Sequence, residues 1–325
     1  MKSRLAYLAL CATLLGGASL SLSAFAQVYP AKPVRLVVPF PAGGPADALG
    51  RLLSEKLKQS WGEPVVIENR GGAGGNIGAE AVARAAPDGY TLFLNASNHI
   101  INASLYDKLS YDPIKDFTPI TEVASYMLVL VVHPTVPAAS LRELVAFARN
   151  KPRSLLLANA GNGTPTHLAA ALFSQAAGID PVHVPYKGAA PANTDLLGGQ
   201  VQGMFNNPVN ALPQVKAQKL RALAVTGAKR LPLMPELPTV AESGYPGFEA
   251  TTWYGLFGPA GLPHEVTAKI HEHVVRALQS KDVQDKLTPQ GWDVIGSTSA
   301  QFAAFLAAEH EKWGRVVKAA GIKPD

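Results

Sequence analysis

The chain has 325 residues, 47% of them hydrophobic and 16% charged, with one cysteine and a formal net charge of +5. A single cysteine excludes a disulfide framework, and 29 basic against 24 acidic residues, spread without basic blocks, disfavour a nucleic-acid surface and weakly favour small anions. A chain this long stabilises itself through a packed core, and at about 100–200 residues per domain it predicts two lobes.

The first residues set the compartment. Lys2 and Arg4 precede an apolar and small-residue core from Leu5 to Leu22, which ends in Ala24-Phe25-Ala26. That pattern is a secretory signal peptide with an A-x-A site, so residues 1–26 are expected to be removed and Gln27 to begin the exported chain. A lipoprotein anchored at Cys11 is the weaker reading, because Leu10 rather than a small residue precedes it. Lys2-Ser3-Arg4 lacks the arginine pair of the twin-arginine route, which leaves ordinary export. No later apolar run reaches the roughly 18 residues of a membrane span, so a periplasmic product without thiol chemistry is expected.

Apolar runs then alternate with helical patterns, which predicts α/β architecture with largely parallel sheets. Strands are expected at Val34–Pro39, Val65–Glu68 and Thr91–Asn95, with helices near Asp47–Gln59 and Gly78–Ala86. Ala48, Leu49, Leu52, Leu53 and Leu57 form the inner face of the first helix. A second set has strands at Leu155–Asn159, His183–Pro185, Val201–Phe205 and Ala222–Val225, and helices starting near Pro165 and Ala190. A proline-rich passage, Leu231–Pro259, precedes helices starting near Pro263 and Ser299. The last of these places Phe302, Phe305, Leu306 and Trp313 at packing positions.

Two stretches echo one another: "LVVPFPAGGPADALGRLL" and "LLLANAGNGTPTHLAAALF" each pass from an apolar strand through a Gly-rich turn with a proline into an amphipathic helix. Ligands of open α/β sheets sit beyond the carboxyl ends of strands, where helix N-termini present free N–H groups, so two such turns can face one anion. In the first turn, Gly43 and Gly44 permit close backbone approach and Pro45 suits the first helical position. Asp47 falls in the first helical turn and reads as a capping residue rather than a catalyst, with contact to ligand also open to it. In the second, Thr164 is the expected N-cap, Pro165 opens the helix, and His167 reads as a packed, hydrogen-bonded residue rather than a general base.

Enzyme signatures are missing. His271-Glu272-His273 splays its rings on a helix, no H-E-x-x-H occurs, and neither G-x-S-x-G nor G-x-x-x-x-G-K-[ST] appears. The carboxylate pairs Asp112/Asp116 and Glu309/Glu311 read as surface charge. The stretch "ENRGGAGGNIGAEAVARAA" comes closest to a dinucleotide fingerprint, but Ile77 stands where its third glycine belongs. The spacing is G-x-G-x-x-x-G at Gly72, Gly74 and Gly78, and Asn95 replaces the acidic strand end. It reads as a tight strand-to-helix turn.

In order, "PVRLVVPFPAGGPADALGRLL", "PVVIENRGGAGGNIGAEAVARAAPDGYTL", "GNGTPTHLAAALF", "VHVPYKGAAPANTDLLGGQV" and "KLRALAVTGAKRLPLMPELPTVAESGYPG" resemble the periplasmic solute receptors of the tripartite tricarboxylate transporter system, the Bug or TctC-like family. The resemblance implies a type II periplasmic-binding-protein fold, two α/β lobes with a ligand cleft and two crossover strands. Residues 27–126 and 251–325 would form lobe 1 and residues 127–250 lobe 2, with crossings near Val123–Leu130 and Ala250–Phe257. It implies a non-enzymatic receptor that delivers a small carboxylate to a membrane permease, as a monomer, with no cofactor, metal or nucleic acid. Carried over, the ligand shell comprises Phe40, Ala42, Gly43, Gly44, Pro45, Ala46 and Asp47 in the first turn and Asn95 and Ser97 at a strand end. Gly161, Asn162, Gly163, Thr164 and His167 follow in the second turn, with Tyr186, Lys187, Asn206 and Asn207 completing it. Family members commonly read "MFD" where this chain has Met204-Phe205-Asn206, and Asn206 cannot supply the charge an amino-acid ligand requires. A non-amino mono- or dicarboxylate, or a small neutral or acidic compound such as an aromatic acid or amide, is therefore favoured. The competing readings are a ligand-sensing module for a membrane sensor and an enzyme using Asp47, His167 and Lys187.

Overall fold

Two mixed sheets organise the computed structural model, which describes residues 29–324; Lys32–Asp325 form one unit. The expected signal peptide, with Cys11 and the cleavage after Ala26, lies outside the described residues.

The first sheet has the order β11-β4-β10-β3-β1-β2, from β1 (Val34–Val38), β2 (Val65–Asn69), β3 (Thr91–Ala96), β4 (Phe117–Met127), β10 (Thr251–Pro259) and β11 (Asp293–Val294). The second has the order β7-β6-β8-β5-β9, from β5 (Val129–Val132), β6 (Leu156–Asn159), β7 (Val182–Pro185), β8 (Gly203–Asn206) and β9 (Arg221–Val225). Strands joined through a crossover helix are parallel, as expected: β1 with β2 and β3, and β6 with β7 and β8. The sheets are not largely parallel, however. β10 runs antiparallel to β3 and β4, and β5 antiparallel to β8 and β9, because these strands carry the chain between the sheets instead of closing a βαβ unit.

The chain leaves the first sheet at Leu128, between β4 and β5, and returns along residues 226–250. Thr226, fully buried, joins both crossings: its backbone N–H donates to Leu128 O (2.9 Å), its Oγ1 accepts from Leu128 N (2.8 Å), and its carbonyl accepts from Ala250 N (2.9 Å). Its hydroxyl proton goes to Ala250 O (2.5 Å).

Helices α1 (Pro45–Trp61), α2 (Asn76–Ala83), α5 (Pro165–Ala177), α6 (Ala189–Leu197), α8 (His264–Leu278) and α10 (Ser299–Ala320) lie where periodicity puts them. Four others, α3 (Asn98–Leu105), α4 (Leu141–Asn150), α7 (Pro208–Lys216) and α9 (Lys281–Leu287), add to them. The inner face of α1 takes Ala46 in place of Ala48, which is exposed. Helix α10 opens with a capping box between Thr298 and Gln301, which satisfies two amides at its start. Its first half packs Phe302 and Leu306 with Trp253 and Phe257, and its second half contributes Trp313, Val316 and Val317 to the core around α5.

Between these halves sits Glu309, and here the surface-charge reading is wrong. Glu309 is buried, its Oε2 accepts the indole N–H groups of Trp253 (3.0 Å) and Trp313 (2.7 Å), and Lys312 pairs with its other oxygen. An acid with two indole donors and an ammonium partner tolerates burial that an unpaired one does not. Burial, then the charges of Glu309 and Glu249, push the carboxyl of nearby Glu122 up to about 7.

The Gly-rich stretch is a packed turn. Gly72, Gly74 and Gly75 have φ of +118, +64 and +97°, and the Gly74 carbonyl accepts from Asn98 Nδ2 (2.6 Å) and Asn102 Nδ2 (3.0 Å) on α3. A Cβ on Gly78 would lie 2.9 Å from both Arg70 O and Pro39 Cβ, so that glycine serves close strand–helix packing.

Candidate functional site

The two echoing turns are the same device down to individual atoms. Each follows a strand, β1 or β6, and carries a glycine at positive φ, Gly43 (+84°) or Gly163 (+70°). An extended cap comes next, Gly44 (φ −81°, ψ 173°) or Thr164 (φ −70°, ψ 157°), and then proline at the first helical position. In each, the glycine N–H is taken by the side chain four residues on: Gly43 N donates to Asp47 Oδ2 (2.9 Å), and Gly163 N to His167 Nδ1 (3.2 Å). Those two amides therefore hold the turns and are not offered to a ligand. The outward N–H groups are those of the first helical turn, at the positive end of the helix dipole.

Asp47 is a strut. It is buried, and its Oδ2 also accepts from Arg51 Nε (2.9 Å) while Oδ1 accepts from Asn69 Nδ2 (3.0 Å), which in turn reaches Phe40 O (3.1 Å). The hydrogen bond from Arg51, followed by those from the Gly43 amide and Asn69, outweighs burial and brings its carboxyl down to about 2. His167 is the matching strut of the second turn. Accepting through Nδ1 fixes it as the neutral Nε2–H tautomer, and its ring packs against His183 at 5.1 Å. Thr164 stands at the cap position, but its hydroxyl donates back to Gly161 O (2.7 Å) instead of capping the helix.

The strand ends supply buried polar atoms without protein partners: Ser97 Oγ after β3, Asn159 Nδ2 at the end of β6 and Asn206 Oδ1 at the end of β8. The orientation of Asn206 follows from a relay. Asn193 Nδ2 donates to Ala189 O (2.8 Å), so Asn193 Oδ1 faces Asn206, which donates to it through Nδ2 (2.6 Å) and leaves its own Oδ1 unpaired. Asn95 turns its Oδ1 to the Ala96 amide (2.8 Å), and Asn207 caps α7 by accepting from Asn210 N (2.9 Å). Tyr186 donates its hydroxyl to Asp195 (2.7 Å); burial, then that bond, raise it to about 12. Lys187 is exposed.

One cavity of about 1040 Å³ opens between elements of the two sheets. From the expected shell it takes Gly43, Gly44, Pro45 and Asn207, and adds Ala48, Arg51 and Leu52 of α1, Tyr126, Asn193, Pro208, Val209 and Trp292. Phe40, Ala42, Ala46, Asn95, Ser97, Tyr186, Lys187, Asn206 and the second turn, Gly161 and Asn162 with Gly163 and Thr164, lie off its wall. Gly163 instead faces Leu105 of α3, whose Cδ2 would be 2.3 Å from a Cβ there. Tyr126, Asn193 and Trp292 were missed because they come from a crossing strand, a helix interior and the segment after α9, with no shared motif.

Among the described residues no group of three or more His, Cys, Asp or Glu could hold a metal ion; His271 Nε2 lies 2.9 Å from Ser297 O, and His273 pairs with Ser60. Among the described residues no helix is long and apolar enough to cross a membrane.

The family model for the tripartite tricarboxylate transporter family receptor matches residues 49–322. BugT of Bordetella pertussis is 38% identical over 300 residues, covering 92% of each chain. Among solved structures, R. palustris Rpa4515 with adipate is 36% identical with a TM-score of 0.80, over 91% of this chain and 100% of that one. MatC of Rhodopseudomonas palustris with bound malate is 35% identical with a TM-score of 0.76, over 89% and 100%. Sequence model, relative and solved structures agree along almost the whole described chain, which belongs to the tripartite tricarboxylate transporter receptor family.

Proposed function

We propose that the protein is a periplasmic receptor that closes on a small non-amino carboxylate and delivers it to a tripartite tricarboxylate-type permease. In this reading residues 27–126 with 251–325 form one lobe and residues 127–250 the other, and the paired crossings at Thr226 are the hinge. The observation that supports it is the duplicated turn, one beside each sheet, each fixed by its own side-chain strut just ahead of a helix N-terminus, the kind of end that suits an anion. Ligand touching both turns favours the closed form by its differential affinity for it. The acids in the relatives' structures, adipate and malate, support this chemistry.

Asn206 sharpens the ligand class. It carries no charge to match an ammonium group, and its unpaired Oδ1, off the wall of the cavity, meets a ligand donor only when closure of the lobes brings one to it. The receptor reading is favoured over an enzyme because Asp47 and His167 are engaged as struts in separate turns and neither they nor Lys187 line the cavity. Calorimetric titration against aspartate, glutamate and matched plain acids tests the proposal. Plain acids are expected to bind, and tight binding of the amino acids with none of the plain acids overturns it. Recovery of the protein on its purified cognate permease tests delivery, and capture by a sensor alone favours the signalling role.

A further inference from the structure

We infer that the ligand has an aromatic, ring-sized apolar body, held in the chamber that extends from the first turn past Tyr126 to Trp292. The inference rests on the carboxylate-receptor reading and narrows it.

Size is the first argument. At about 1040 Å³ the cavity lies at the upper end of the roughly 300–1,000 Å³ typical of pockets that enclose drug-sized ligands. A short hydroxylated diacid leaves most of it to water.

The second argument is the character of the wall. Beside polar side chains such as Asn193, Asn210 and Gln214, the wall carries an apolar stretch of Leu52, Pro208, Val209, Pro213 and Leu287, whose side chains give a polar ligand nothing to hydrogen-bond, together with the ring of Trp292. Val209, on this stretch of the wall, is an apolar residue left 47% exposed. Covering such surface with an apolar body is favourable, whereas setting a carboxylate against it strips the charge of hydration without return.

The third is the aromatic corner. Trp292 meets Tyr126 edge to face, with centroids 4.9 Å apart and planes at 83°, and lies 5.1 Å from Tyr254. Tyr126, half-buried, and Trp292 both line the chamber, so it receives ring surface. A ligand ring extends this edge-to-face set in a way that a flexible chain cannot.

Calorimetry with benzoate, terephthalate, adipate and succinate tests this in the full exported chain and in two variants. Val209→Glu replaces an exposed residue, and Trp292→Leu removes the aromatic corner; melting curves confirm that each is folded. The aromatic acids are expected to bind about ten-fold or more tighter than succinate, and each variant to cut that ratio about ten-fold. Succinate binding as tightly as the aromatic acids, or a ratio unchanged in both folded variants, overturns the inference while leaving the receptor reading standing. Failure of all four acids overturns both.

Discussion

Gly43 and Gly44 are neighbours in one turn, yet their substitution should have opposite consequences. Gly43 has φ +84°, with nothing within 4 Å of a Cβ built on it. Gly43→Ala therefore meets no clash but holds an L-residue in the left-handed region, which costs about 1–2 kcal/mol. In a chain of this size that lowers Tm by a few degrees. Gly44 has φ −81° and ψ 173°, extended backbone that a β-branched residue adopts readily, and its Cβ would meet only Pro41 O at 3.6 Å. Gly44→Val should thus leave stability within about 0.5 kcal/mol. Its isopropyl group, however, enters the cavity wall where a carboxylate oxygen must approach the helix amides to about 2.9 Å. Losing charge-assisted hydrogen bonds of about 1.5–3 kcal/mol there weakens binding ten- to a hundred-fold or more. Thermal melts and calorimetry on the two variants read both effects. Wild-type affinity in Gly44→Val removes the first turn from the site, and a melting loss equal to that of Gly43→Ala refutes the backbone argument.

Gly74→Ala should reduce stability by about 1–3 kcal/mol, because its φ is +64° and a Cβ would lie 2.9 Å from Tyr106 Oη, while affinity stays at the wild-type value; a larger effect on affinity than on melting returns the Gly-rich stretch to the ligand site. Glu122 titrates near 7 in the fold against 4.5 in the reference state, so its contribution is intact below 4.5 and is lost as pH rises through 7. Glu122→Gln should remove that loss, raising the urea midpoint at pH 8 relative to the wild type more than at pH 5; parallel midpoints at the two pH values contradict the assignment. Asn193→Ala frees Asn206 Nδ2 from its acceptor and should change the preference between hydroxylated and plain acids by a few-fold, read by competition calorimetry; unchanged preference places Asn206 outside the ligand's reach.

Much of this architecture is local in origin and therefore legible. Proline at the first helical position, glycine before it and an apolar strand upstream mark both turns within a dozen residues, and the echo between them is visible in the letters. Their struts are legible only in retrospect: Asp47 and His167 occupy the same position in their turns, but two residues so unlike in chemistry give no sign that both accept a glycine N–H. Glu309 shows the opposite failure. In "FLAAEHEKW" it looks like part of a solvated charge run, and what makes it a buried hub is Trp253, which reaches it from a strand 56 positions away. The antiparallel direction of β10 and β5 was likewise hidden, because periodicity reports which face is apolar and not which neighbour a strand finds. Ala48 was placed inward by helical spacing alone, and the cavity beside α1 is what exposes it. For the same reason the first turn could be named from sequence, while Tyr126, Asn193 and Trp292, which meet only through the fold, could not.

The central claim, that a small carboxylate is held intact between the two sheets, is tested most directly by native mass spectrometry of protein exported and purified without refolding, followed by release and identification of the bound molecule. The account predicts a single non-amino acid, chemically unchanged after long incubation with the protein and lost from Gly44→Val. A bound amine or amino acid, or an added acid converted to product during incubation, would contradict it.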